Sequence, residues 1–424
     1  MIDSGPSPHP VELPDLATAH GPYSVLRNRD FLLYLVGRFI ASLGQQMLTV
    51  AVGWELYERT QSPLSLGLVG LTQMVPMVLL TLPAGHVADN YNRKRIILLM
   101  ILVVALSSVG LTLISAFQAD VFWTYFCLLA AGIARTFLWP ASAAFMPQLV
   151  SRRNFPKAVT WNSGSFHLSS VAGPALGGML IAMTLSAASV YAINALAVLI
   201  CFALMCFVRS RHVAKVKEAM SVKNLIVGFK FVFNTRILFG IISLDMFAVL
   251  LGGATALLPV YAKDILGVGP TGLGWLQAAL PMGSLLSAVI LAHCPPMEKA
   301  GRALLWAVTA FGLSTIAFGF STSFWFSLVM LFICGAVDNI SVVVRHTLVQ
   351  LLTPDEKRGR VSAVNSLFIG TSNELGGFES GFVAYLFNPV FAVVSGGIGT
   401  IAVVIVTALI WPEIRKYGRL DGPA

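Results

Sequence analysis

Runs of apolar residues, each long enough to cross a bilayer, alternate with short polar breaks from about residue 30 to 411. A helix rises about 1.5 Å per residue, so a hydrocarbon layer of about 30 Å needs about 20 apolar residues. The runs predict twelve crossing helices, near 30–57, 64–88, 94–117, 121–148, 157–183, 187–209, 236–263, 271–292, 301–319, 324–351, 358–384 and 388–411. A membrane β-barrel would instead show segments of about ten residues with alternating polarity. The pattern therefore predicts an all-α membrane protein, with twelve transmembrane helices in two six-helix bundles.

The polar breaks carry a second pattern. Basic residues cluster at every second break: Arg27 and Arg29; Arg93, Lys94 and Arg95; Arg152, Arg153 and Lys157; a longer series from Arg209 to Arg236; Lys299 and Arg302; Lys357, Arg358 and Arg360; Arg415, Lys416 and Arg419. Arg59 and Lys263 fall on the other side, and Arg38, Arg135 and Arg345 fall inside hydrophobic runs. Loops that stay in the cytoplasm are the basic ones. Both termini are therefore expected in the cytoplasm of a bacterial inner membrane, as an even number of crossings requires. The division follows: a cytoplasmic tail over 1–26, a six-helix bundle over 27–209, a linker over 210–235, a second bundle over 236–412 and a tail over 413–424. The linker contains VKNLIVGFKFVFN, which reads as an interfacial helix.

Composition agrees. Of 424 residues, 56% are hydrophobic and 11% charged, where soluble chains carry about 25% charged residues. The net charge of +9 comes from the membrane-flanking loops and needs no nucleic-acid partner. The five cysteines show neither metal spacing nor a disulfide framework, so no metal and no cofactor are expected. No phosphate-binding loop, HExxH or GxSxG is present, which leaves no basis for ATP drive or an enzyme.

The halves resemble each other at an offset of 203 residues. Asn162 maps onto Asn365, Gly132 onto Gly335, Gly173 onto Gly376, Gly178 onto Gly381, and Arg135 onto Asp338. A duplicated six-helix unit suits a carrier whose substrate site lies between the halves.

Specific motifs sharpen this. The second break reads Gly85-His86-Val87-Ala88-Asp89-Asn90-Tyr91-Asn92-Arg93-Lys94-Arg95, and the fifth helix contains Gly173-Pro174-Ala175-Leu176-Gly177-Gly178. The first resembles the Gly-x-Leu-Ala-Asp-Arg-x-Gly-Arg-Lys signature of the major facilitator superfamily, with Asn90 and Asn92 as departures. Asn92 is compatible with the left-handed turn that Gly serves there. The second resembles the signature of that superfamily's antiporters. Residues 153–178 are similar to the enterobactin-exporter-like branch. The resemblance implies that Gly85, Asp89, Arg93, Lys94 and Arg95 form a cytoplasmic gating network, with Asp89 near the start of the eleventh helix. It also implies that Gly173, Pro174, Gly177 and Gly178 serve antiport, although small residues equally allow close helix packing.

Ionisable residues inside a bilayer are costly, so each is a candidate for function. Arg135 and Asp338 lie about 14 residues into their helices, roughly 21 Å deep, where they can hold a charged substrate or form a proton-sensitive pair. Arg38 and Asp245 lie about nine residues into the first and seventh helices, which allows a pair across the halves. Glu374 and Glu379 are candidate proton carriers, with Glu374 nearer the midplane. Glu55 and Arg345 are expected to be structural. Gln45, Gln46, Asn162, Gln277, Asn339, Asn365 and Asn373 supply polar groups for a cavity. Together these point to a monomeric, proton-coupled exporter of a small amphipathic molecule such as a siderophore or drug. It would work by alternating access, with H+ as coupling ion and with membrane lipid and a small-molecule substrate as partners. An uptake symporter or facilitator, and a receptor that does not transport, are the alternatives.

Overall fold

The computed structural model describes residues 23–209, 222–295 and 297–418. Its first six long helices are α1 (Arg29–Thr60), α2 (Pro63–Asn90), α3 (Arg93–Ala116), α4 (Phe122–Leu149), α5 (Phe155–Thr184) and α6 (Ala187–Phe207). A linker helix, Val222–Asn234, precedes α7 (Arg236–Leu251), α8 (Gly269–His293), α9 (Ala300–Gly319), α10 (Phe324–Leu351), α11 (Asp355–Leu386) and α12 (Pro389–Ile410). Among the described residues, eleven spans are long and apolar enough to cross a membrane. The remaining long helix is α11, which is diluted by Asn365, Asn373, Glu374 and Glu379 and packs lengthwise against α2. This is the all-α, multi-pass architecture that the hydrophobic runs predict.

Local chemistry explains several boundaries. Asn28 caps α1, its side chain accepting from the N–H groups of Asp30 (3.0 Å) and Phe31 (3.3 Å). Asn92 caps α3 in the same way, accepting from Arg95 N–H at 3.3 Å. Its backbone is extended (φ −65°, ψ 109°), so it does not fill the left-handed turn that the signature suggests. The seventh span is not continuous either. It stops at Leu251, passes Gly252 and Gly253, and resumes as short turns from Ala254 to Ile265. A Cβ on Gly253 would stand 2.6 Å from the Gly376 carbonyl carbon, so the chain bends where α11 approaches it too closely for a side chain.

Two segments expected as tails are partly packed. Val25 is buried in the turn Ser24–Arg27, and Ile414 is buried in the short helix Pro412–Lys416, against Gly240 of α7 and Gly301 of α9. Residues 1–22 and 419–424 lie outside the described residues, as does 210–221 of the linker. The linker helix docks on α11: Phe229 meets Phe368 at 5.8 Å between ring centroids, and Val232 is buried.

The duplicated glycines do duplicated work. Gly173 of α5 meets Leu43 and Gln46 of α1, and its partner Gly376 of α11 meets Val249 and Leu250 of α7. Gly178 of α5 meets Gly274 of α8, and Gly381 of α11 meets Gly67 of α2. Each pair joins equivalent helices, so the offset seen in the sequence is a two-fold pseudo-symmetry of packing. The second set crosses between halves. Ideal Cβ atoms there would come within 3.0 Å (Gly178 to Gly274) and 2.7 Å (Gly381 to Gly67) of facing backbone, a spacing that glycine permits and larger residues do not.

The core follows the same logic. At the end of the bundle away from the basic clusters, one apolar cluster runs through both halves, joining Trp54, Leu56 and Tyr57 to Leu257, Leu258 and Tyr261. Toward the basic end the cores separate. One cluster lies within the first half, and two lie within the second half and the linker helix, with Leu82 of α2 reaching one of them. The halves are therefore welded at the neutral end.

A leucine at position 178 is expected to wedge α5 from α8 and open that end. With native cysteines removed, Gly178→Leu should increase labelling of Thr49→Cys by an impermeant thiol reagent added from the neutral side. Gly173→Leu acts inside the first half, where overpacking of about 1–3 kcal/mol should lower Tm instead. Unchanged labelling of the Gly178→Leu protein would show that the crossing does not seal the cavity.

Candidate functional site

The glycine-rich crossings bring the polar faces of α1, α2, α4, α5, α8 and α11 around one cavity of about 470 Å³. Its walls come from both halves. Gln45, Gln46, Gln73 and Arg135 face it from the first half, and Gln277, Asn373 and Glu374 from the second. The bend in the seventh span adds Thr255, Ala256, Leu258 and Pro259. Pro174 of the antiporter-like motif also lines it. Gly173 and Gly177 pack on α1, and Gly178 packs on α8.

Arg135 is the cavity's cation. Its Nη2 donates to Gln73 Oε1 at 2.5 Å, and its charge interacts with that of Glu374 across the interface between halves. Gln46 is oriented by donation of its Nε2 to Ser170 Oγ at 2.8 Å. The site therefore combines a guanidinium, a carboxylate and several amides in a partly buried space. Such a set can hold a polar molecule through both donors and acceptors.

The structure sorts the remaining candidates. Asp338, the repeat equivalent of Arg135, is absent from this cavity's lining and lies beside Cys334 on α10. The charge facing Arg135 is Glu374, because α11 and not α10 crosses α2 beside it. Glu379 interacts with Ser380 at 3.4 Å and is turned away from the cavity lining. Asn339 donates to Ser287 Oγ at 2.9 Å, a tie between α10 and α8. Asn365 is buried on α11, and Asn162 is half-buried on α5; neither lines the cavity. Glu55 pairs with Arg59 at 3.5 Å, one helical turn away. Gln73 has no place among the sequence candidates, although a glutamine inside an otherwise apolar run was a signal for it.

The expected pair of Arg38 with Asp245 is not present. Asp245 pairs with Arg345, both buried, between α7 and α10 of the same half. Matching depth on the first and seventh helices does not bring side chains together when each faces its own bundle. Arg38 instead lies over the Tyr34 ring, 5.9 Å from its centroid.

At the basic end, Gly85 is buried and Asp89 is exposed, with no ion pair among the described residues. Arg93 donates to the carbonyls of Ala88 (3.3 Å) and Ala144 (3.1 Å), and Lys94 to those of Cys206 (2.9 Å) and Val208 (2.7 Å). Arg95 is exposed. The motif thus ties α2, α3, α4 and α6 together without engaging α11. At the neutral end the reverse holds. The Tyr57 hydroxyl hydrogen-bonds Asp264 across the halves, Lys263 lies 5.9 Å from the Tyr57 ring centroid, and Gly53 abuts Pro259.

A cavity lined by amides and charges from both halves of a duplicated helical bundle suits a membrane transporter of small molecules, and the family and relatives of the chain are transporters and not enzymes. The sequence profile of the family described as transmembrane secretion effector, within the major facilitator superfamily, matches residues 20–417, and the chain belongs to that family. It is 24% identical over 388 residues to the enterobactin exporter EntS of Escherichia coli O1:K1 / APEC, covering 91% of this chain and 93% of that protein. The EntS of Shigella boydii serotype 18 matches with the same identity and coverage. The fold is shared with a POT family transporter solved with 5-aminolevulinic acid (TM-score 0.75, 12% identity, 91% of this chain and 97% of that one). It is also shared with a bacterial homolog of the human lysosomal transporter Spinster in an inward-facing state (TM-score 0.67, 15% identity, 93% and 97%).

Removing one member of the buried pair should strand the other. Asp245→Asn is expected to cost about 3–5 kcal/mol and lower Tm, whereas Asp245→Leu with Arg345→Met recovers most of the loss. Exchanging the charges of Arg38 and Asp245 should not restore function. A rescue by that exchange would show the two meeting in another state of the cycle. Tyr57→Phe and Asp264→Asn should each loosen the neutral end, read as faster reagent access to Thr49→Cys.

Proposed function

We propose that this protein is a proton-coupled exporter of a small amphipathic molecule, a siderophore or drug, working as a monomer by alternating access with H+ as the coupling ion. The observation that carries this reading is the placement of Arg135 from the first half and Glu374 from the second on the wall of one cavity between the halves. The basic end is taken as cytoplasmic, because basic loops are retained on that side. The closed neutral end then faces the periplasm, and the separated cores face the cytoplasm.

In this reading the cargo and the proton compete for Glu374. Its ionised carboxylate interacts with Arg135 and accepts hydrogen bonds from hydroxyl or amide donors of a cargo. A proton arriving from the opposite side neutralises it, removes the ionic attraction and turns one of its acceptor oxygens into a donor. Loaded with cargo or with a proton, the carboxylate has its charge answered, and the two halves can reorient. The enterobactin exporters similar to this chain, and the antiporter-like motif on α5, support export and a siderophore-like cargo.

The test uses purified protein in liposomes with an internal pH dye, challenged with a panel of siderophores, drugs and small metabolites. One compound should trigger proton movement opposite to its own flux. Glu374→Gln should abolish that proton movement to the protein-free level while keeping compound binding, because the amide retains an acceptor but cannot titrate. Compound flux with no proton movement in the unaltered protein would make it a facilitator or a carrier driven by another ion.

A further inference from the structure

A second chamber, of about 340 Å³, lies wholly within the first six helices and extends toward the basic end. Its lining runs from Tyr34 to Gln46 on α1, from Ile97 to Val104 on α3, from Arg135 to Ser142 on α4, and from Val198 to Met205 on α6, with Phe166 of α5. It shares Gln45, Gln46 and Arg135 with the cavity between the halves, so the two spaces adjoin. The walls are mostly apolar. They include two guanidiniums, Arg38 and Arg135, and no carboxylate.

The two arginines differ. Arg135 is engaged by Gln73 and by the charge of Glu374. Arg38 is half-buried, and among the described residues its recorded contact is the face of Tyr34. A cation held in an apolar wall without a counter-charge is costly, and a bound anion offsets that cost. Trp139, 76% exposed although it belongs to a membrane helix, lines the same chamber with residues of α1 and α6. Phe166 is 52% exposed on the same lining. Aromatic side chains and a guanidinium without an ion pair among the described residues, lining one mostly apolar space, suit a ligand that is itself flat and anionic. The chamber is at the small end of ligand pockets, which run about 300–1,000 Å³.

We propose that this chamber is the loading site of the transporter. It takes a small organic anion with a flat apolar body, with Arg38 as the charge partner and Trp139 as the stacking face. Arg38 lies about nine residues from the basic end of its helix and Arg135 about fourteen from the basic end of its own, a difference of about 7 Å in depth. A cargo held at Arg38 therefore leaves the Arg135–Gln73 hydrogen bond intact and stands next to the cavity it enters. The loading role rests on the export reading above. The binding does not, because it needs neither a pH gradient nor movement between states.

The experiment measures equilibrium binding of naphthoate, naphthamide and octanoate to the full chain in nanodiscs of phosphatidylcholine. Naphthoate should bind roughly tenfold more tightly than naphthamide, a ratio equal to about 1.4 kcal/mol. Arg38→Gln should erase that ratio, Arg38→Lys should keep part of it, and Trp139→Ala should weaken naphthoate more than octanoate. Equal binding of naphthoate and naphthamide to the unaltered protein would overturn the proposal. So would a ratio that survives Arg38→Gln in protein that remains monodisperse. Adding phosphatidylglycerol distinguishes the source of the anion. Displacement of naphthoate by that lipid, lost in Arg38→Gln, would assign the chamber to a lipid headgroup and overturn its loading role. Undiminished naphthoate binding would support it.

Discussion

The continuous apolar core at the neutral end is the constraint from which the rest of the structure follows. Trp54, Leu56 and Tyr57 from one half share it with Leu257, Leu258 and Tyr261 from the other. Burial of apolar side chains is non-directional, so such a core joins two rigid bodies without fixing their register. Register is supplied by the backbone crossings of Gly178 with Gly274 and of Gly67 with Gly381, where facing chains meet too closely for side chains. The polar cavity is what remains beneath this seal, and its amides and charges are brought together because the helices above them cannot separate independently.

The charged residues inside the membrane divide by their partners. Asp245 and Arg345 satisfy each other within one half and hold α7 against α10. Arg135 and Glu374 face each other across the halves, so their interaction depends on how the halves are placed. Among the described residues Arg38 has neither kind of partner. A charge pair inside one rigid body resists unfolding. A charge pair between two bodies responds to their motion. A charge on a chamber wall without such a partner is the one that a bound anion can answer.

Much of this was legible in the sequence because it depends on length, spacing and side-chain size. Apolar runs give the helices, basic breaks distinguish the two ends, and the repeat offset pairs the glycines that pair in packing. What sequence spacing could not give is rotation about each helix axis. Arg38 and Asp245 sit at matching depths, yet Asp245 turns to Arg345. Arg135 and Asp338 are repeat equivalents, yet the partner of Arg135 comes from α11. Pseudo-symmetry relates a residue to its copy at the same position in the other half. It does not bring the two into contact unless both lie on the axis. The bend after Leu251 was hidden for a similar reason. Paired glycines are common in membrane helices, and here the helix stops at the pair where the backbone of Gly376 approaches Gly253 too closely for a side chain.

The face of α11 that meets α2 carries Gly370, Glu374, Phe378 and Gly381, spaced three or four residues apart as one helical stripe requires. Gly370 meets Met77, the carbonyl of Glu374 lies against Gly70, and Phe378 and Gly381 lie against Gly67. Glu374 is thus in two structures at once. Its backbone belongs to the crossing that joins the halves, and its side chain belongs to the cavity wall. Gln73, which holds Arg135, is one turn along α2 from Gly70. Any change in charge at Glu374 therefore acts on the crossing through the residue's own backbone and, through Arg135 and Gln73, on the facing helix. In the proposed exchange no long relay between proton site and gate is needed, because the titrating residue is itself part of the contact that must rearrange.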